Sequence, residues 1–173
     1  QTLFHQPDDR WTWQYINAGL ISKTFKSNVI SDFRILDINN GGEGAPLVPI
    51  FHKNLILSNN FLLPSAILNI GGISNITKLI SNIGTIENNL IAFDLGPGNC
   101  MIDDWVRKNS NKRFDENGSI AKSGKINQLI LNQVIENFKI SSYNVSLDIK
   151  DFDISFARGC SLEDGCATIR SFT

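Results

Sequence analysis

The stretch FDLGPGNCMIDDW, residues 93–105, decides how the rest of the chain is read. Apolar residues and one aspartate run into Gly-Pro-Gly-Asn, and then Met101, Ile102, Trp105 and Val106 recur at helical spacing. Glycines at a strand end let a ligand approach the backbone, and a following helix lends its N-terminal partial charge to an anion. Asp94, set between Phe93 and Leu95, is costly to bury unless paired. It is therefore a candidate general base. The alternative is a carboxylate that accepts N–H bonds from the GPGN turn.

Two more loops of this kind precede it, NGGEGAP at 40–46 and NIGGISN at 69–75. None matches a phosphate-loop or dinucleotide fingerprint alone, and each is explained as well by ordinary turn formation. Their succession after apolar segments is what points to phosphate. Asp32 and Arg34 of DFR are candidate ligand residues, with Arg34 able to fork onto hydroxyls or phosphate or to form an internal ion pair. Asp103 and Asp104 are either solvated first-turn acids or a water-mediated Mg²⁺ contact. His5 and His52 are isolated and are not expected to be catalytic.

Around these loops the pattern gives strands over 10–16, 29–33, 65–72 and 90–96, with 73–80 as the second arm of a hairpin and a turn near 82–84. Helices are expected over 17–26, capped by Asn17, over 100–109, over 126–138, and from Ser161 to the end. In the third of these helices Ile126, Leu129, Ile130, Gln133, Val134 and Phe138 would face the core. Strands preceding helices give an α/β or mixed α+β class.

Composition excludes more than it identifies. With 42% hydrophobic and 19% charged residues and a net charge of -1, nothing suggests a nucleic-acid or membrane partner. Cys100, Cys160 and Cys166 form no CxxC, which argues against zinc and for structural thiols in a reducing cytoplasm. The chain starts at Gln1, its only methionine is Met101, and its last helix stops without a Gly or Pro, which reads as a piece of something longer.

NIGGISN, FDLGPGN and DFRILDINNGGEGAPLVPIFH together resemble the anhydro-N-acetylmuramic acid kinase family, as do the opening QT, the 114–127 stretch and the closing SLEDGCATIRSFT. The resemblance implies an ATP-dependent sugar kinase of the actin, hexokinase and sugar-kinase fold, present incompletely. Residues 1–64 would be a remnant of the first lobe and 65–173 the start of the second. It further implies that Asp94 activates the water that opens the 1,6-anhydro bond, after which O6 is phosphorylated. Asp32, Arg34, Gly41, Gly42, Gly44 and Asn99 would meet the sugar; Asn69, Gly71, Gly72, Asn75, Gly96 and Gly98 would meet ATP. No residue of this chain is assigned to a metal, although ATP would bring Mg²⁺.

Several features depart from the family pattern. A GxMSGTSxDG-type phosphate loop and a C-terminal adenosine segment are absent, Ile16 stands where a glycine is usual, Glu43 replaces a glutamine, and Asn144-Val145-Ser146 replaces Pro-Lys-Ser. The missing portions, or a homodimer, would be the partners. A non-catalytic remnant and a sugar-binding module without nucleotide are the alternatives.

Overall fold

The computed structural model describes residues 2–139 and 147–173. The chain divides into two units, Gln1–Asn54 and Leu55–Thr173. Its class is mixed α/β, with one two-stranded and one three-stranded sheet, both antiparallel.

In the first unit β1 (Thr2–Gln6) pairs with β2 (Trp11–Gln14), His5 facing Thr12. Thr12 is buried, and its hydroxyl receives the Gln14 side-chain amide at 2.6 Å. Helix α1 (Ala18–Phe25) starts as its sequence indicates, with Asn17 accepting the Leu20 N–H at 2.9 Å. The strand expected over 29–33 does not form. Instead Asp32 takes a left-handed φ of 64° and Phe33 opens α2 (Phe33–Asn39). Val29 and Ile30 have strand-type side chains, but a strand also needs a ladder neighbour, and none pairs with this segment among the described residues. Helix α3 (Pro49–Ser58) crosses the division between units.

The second unit opens with the meander that the alternation announces. β3 (Ser65–Ile70) returns through Gly71 and Gly72 into β4 (Ile73–Leu79), and β5 (Leu90–Pro97) pairs with β4 on its other side. The β4–β5 connection is longer than a simple turn and contains α4 (Ile86–Asn89). Helix α5 (Asn99–Asn109) follows β5 directly. It buries Cys100, Met101, Trp105 and Val106, while Ile102 is half-buried. Then come α6 (Ser119–Ser123), α7 (Gln128–Asn137) and α8 (Leu162–Phe172).

Helix α8 is the spine of the core. Cys166 and Ile169 are fully buried against Trp105, Val106, Ile120 and Ala157. Ser161 caps it by accepting the Asp164 N–H at 3.0 Å, and the Trp105 indole N–H donates to the Leu162 carbonyl at 2.9 Å. The expected inward face of α7 holds in part: Ile130, Val134 and Phe138 are half-buried beside the buried Leu131, whereas Gln133 is exposed, Leu129 is 83% exposed and Ile126 50%. The cysteines are free thiols. Burial, aided by the Asp115 charge, pushes the Cys166 thiol up to about 12, so it is not a nucleophile at neutral pH.

Candidate functional site

The candidate residues fall into two groups, one in each unit. In the first unit Asp37, which carries no motif of its own in the sequence, organises the glycine loop after α2. Its carboxylate accepts the Gly44 N–H at 2.7 Å, and its main-chain carbonyl accepts the Gly42 N–H at 2.9 Å. A Cβ at Gly42 would overlap the Asp37 carboxylate and displace it from its bond with the Gly44 N–H. Arg34 fastens the same turn from the other side, Nη1 donating to the Gly44 carbonyl at 3.2 Å. Gly41 continues the helix end through an N–H bond to the Ile38 carbonyl at 3.0 Å.

Asp32 and Arg34 line a cleft of about 220 Å³ with Gln14, Ile16 and Leu47. The structure therefore places Asp32 and Arg34 at the start of α2 rather than at the expected strand end, and Gly41, Gly42 and Gly44 after its other end, with Arg34 bonded to Gly44. A signal for Asp37 exists in the sequence, since it is an acid within one turn of Arg34 and just before paired glycines. Replacing Asp37 with alanine is expected to cost about 2 kcal/mol, because the buried Gly44 N–H loses a charged acceptor. Equilibrium urea unfolding of parent and variant measures this.

The second group is built on the meander. Asn69 faces Asn75 across β3 and β4, and Asn75 faces Asp94 across β4 and β5. Directly opposed residues share a sheet face, so the three polar side chains form one row across all three strands. Thr77 and Leu79, further along that face of β4, are 1% exposed. Between Ser74 and Asn75 the β4–β5 register shifts: Ser74 pairs with Gly96 and Asn75 with Asp94, which leaves Leu95 as the extra residue of a bulge.

Asp94 is half-buried, and its Oδ2 accepts the Leu147 N–H at 2.9 Å. That bond comes from a distant part of the chain, not from the GPGN turn. The turn is occupied differently. The N–H groups of Gly98 and Cys100 donate to the Gly72 carbonyl at 3.0 and 3.1 Å, and that of Asn99 donates to the Gly71 carbonyl at 2.8 Å. The paired glycines thus cap α5 with their carbonyls. An anion cradle made of those three N–H groups, as the sequence suggested, is not formed, because each already has its acceptor. Asn99 is the first helical residue rather than the cap, and its side-chain amide donates to the Ile70 carbonyl at 3.4 Å.

Asp104 pairs with Lys108 at 2.8 Å on the outside of α5. Among the described residues no group of three or more metal-ligating side chains occurs. No described helix is long and apolar enough to cross a membrane. The Asn144-Val145-Ser146 departure lies outside the described residues.

Comparison with known proteins adds the family. A family model described as anhydro-N-acetylmuramic acid kinase matches residues 1–142. Proteins of that name are 48% identical in Pelagibacter ubique, 42% in Zymomonas mobilis and 39% in Rhizorhabdus wittichii. Each similarity covers 100% of this chain but only 46% of the relative, so the chain spans about half the length of the proteins it matches.

Proposed function

This chain belongs to the anhydro-N-acetylmuramic acid kinase family, and from that premise we propose that it is part of an ATP-dependent amino-sugar kinase in which Asp94 is the general base. The reading adopts the sugar-kinase ATPase fold, with residues 1–64 as the end of one lobe and 65–173 as the start of the other. It also places the protein in the cytoplasm, in recycling of cell-wall sugars. The observation that carries it is the row Asn69–Asn75–Asp94, which sets a half-buried carboxylate among amides at the glycine-turn end of the sheet.

In the reaction so assigned, water bonds to C1 of the anhydro sugar as the C1–O6 bond breaks. Asp94 takes the water proton, and O6 takes the γ-phosphoryl group of ATP with ADP leaving. Asp94 suits the task because its Oδ2 is held by the Leu147 N–H, which orients the carboxylate. Asn69 and Asn75 contribute amides beside it, suited to phosphate oxygens or sugar hydroxyls. Gly71, Gly72, Gly96 and Gly98 are assigned to ATP through shape, since the turn of Gly71 and Gly72 packs against the start of α5 where Gly98 has no room for a Cβ. Asn99, Asp32, Arg34 and the loop of Gly41, Gly42 and Gly44 are assigned to the sugar. Bound with ATP, Mg²⁺ neutralises charge on the transferring phosphoryl group.

A second reading, a non-catalytic remnant, draws on the closed state of the α5 start, where three N–H groups that suit phosphate are engaged internally. One assay separates the two. The natural gene product containing these 173 residues, given ATP, Mg²⁺ and the anhydro sugar, is expected to yield ADP and sugar 6-phosphate in equal amounts by mass spectrometry. Folded protein that makes neither would leave the remnant standing. Sugar binding without turnover would favour the nucleotide-free binding module.

A further inference from the structure

We propose that His5, acting through Thr12, fixes the side-chain amide of Gln14 so that its carbonyl oxygen is presented to the cleft of Asp32 and Arg34, as a hydrogen-bond acceptor for the ligand bound there. His5 is thus a positioning residue and Gln14 a binding one, and neither belongs to the set that the sequence motifs supplied. The relay crosses the first hairpin. His5 faces Thr12 in the register, and Gln14 lies two residues further along β2, on the same face.

The direction of the relay follows from the Thr12 hydroxyl, which is buried and has one proton to give. That proton goes to the Phe4 carbonyl at 3.3 Å. The oxygen's lone pairs then take N–H donors, Gln14 Nε2 at 2.6 Å and His5 Nδ1 at 3.2 Å. With its nitrogen committed to Thr12, the Gln14 amide turns its Oε1 away, and that oxygen accepts no hydrogen bond among the described residues. Gln14 lines the cleft, so Oε1 is available to an O–H or N–H of a ligand. The imidazole also backs the other wall. A Cβ added to Gly44 would come within 3.2 Å of His5 Cε1, so the ring lies against the residue whose carbonyl receives Arg34. One side chain therefore supports the acceptor of the cleft through Thr12 and its cation through the Gly44 turn. Asp32 and Arg34 balance in charge, and with the Gln14 acceptor they suit a hydroxyl-rich ligand. The role rests on the proposed reading that this cleft takes the sugar.

Long-range ¹H–¹⁵N NMR of the natural gene product containing these 173 residues, at a pH where His5 is neutral, is expected to show the ring proton on Nδ1, the tautomer that Thr12 demands. A proton on Nε2 overturns the proposal. In steady-state kinetics with the anhydro sugar varied, Gln14→Met is expected to raise KM about tenfold with a much smaller change in kcat. His5→Ala is expected to raise KM similarly, and the double variant no further than either alone, because both changes remove the same acceptor. His5→Asn, whose side-chain N–H stands in for Nδ1–H, is expected to recover most of the loss. An unchanged KM in Gln14→Met, or losses that multiply in the double variant, also overturns the proposal. A proton on Nδ1 in folded protein that neither binds nor turns over the sugar removes the sugar reading alone. Turnover with the proton on Nε2 removes the relay alone.

Discussion

Asp94→Asn is expected to lower sugar phosphorylation by about 10²–10⁴-fold while leaving the thermal midpoint of the protein little changed. The separation follows from the hydrogen bond that holds this carboxylate. Asparagine keeps a carbonyl oxygen, so the Leu147 N–H that donates to Asp94 at 2.9 Å retains an acceptor. What is lost is the capacity to take a proton. A structural role for Asp94 would show the opposite pattern, a fall in stability with activity falling only in proportion. Steady-state kinetics and thermal unfolding on the same preparations distinguish the two, and full turnover by the variant would end the general-base assignment.

Gly98→Ala is expected to damage the fold beside the site, at about 3 kcal/mol in urea unfolding. Its new methyl group would overlap the Gly71 carbonyl oxygen and press on the Gly72 carbonyl, both of them backbone. Neither can swing aside as a side-chain tip would. Relief requires separating the glycine turn from α5, which gives up the bonds from Gly98, Asn99 and Cys100 together. Because that turn joins β3 to β4, the damage would reach the Asn69–Asn75–Asp94 row. An alanine variant within about 0.5 kcal/mol of the parent would show that the junction has slack and does not fix the row.

What was legible in the sequence was local. The meander could be read because alternation and paired glycines are signals carried by adjacent residues, and β3, β4 and β5 fall where they indicate. The caps of α1 at Asn17 and of α8 at Ser161 are local in the same sense. What failed depended on distant partners. Thr2–Gln6 is a strand because Trp11–Gln14 lies beside it, and the 29–33 segment is not one because nothing pairs with it among the described residues. In α7 the expected Ile130, Val134 and Phe138 are half-buried, but Leu129, Ile130 and Leu131 are consecutive apolar residues that point in three directions, and only packing selects Leu131 for full burial and leaves Leu129 outside.

The site divides along the same line. Its motifs could be named from the sequence, but the row of Asn69, Asn75 and Asp94 exists only through strand register. The engagement of the α5 N–H groups by the glycine carbonyls, and the hold of Asp37 on Gly44, are likewise tertiary facts that composition does not carry.

The most direct test of the kinase assignment is the reaction run in H₂¹⁸O, with the sugar phosphate analysed by mass spectrometry immediately after quenching. Water opening the anhydro bond and O6 accepting the phosphoryl group predict one ¹⁸O on the sugar and none in the phosphate. Label in released phosphate with the anhydro sugar intact would mean simple ATP hydrolysis, and would contradict the role of Asp94 as the base that activates water against the sugar.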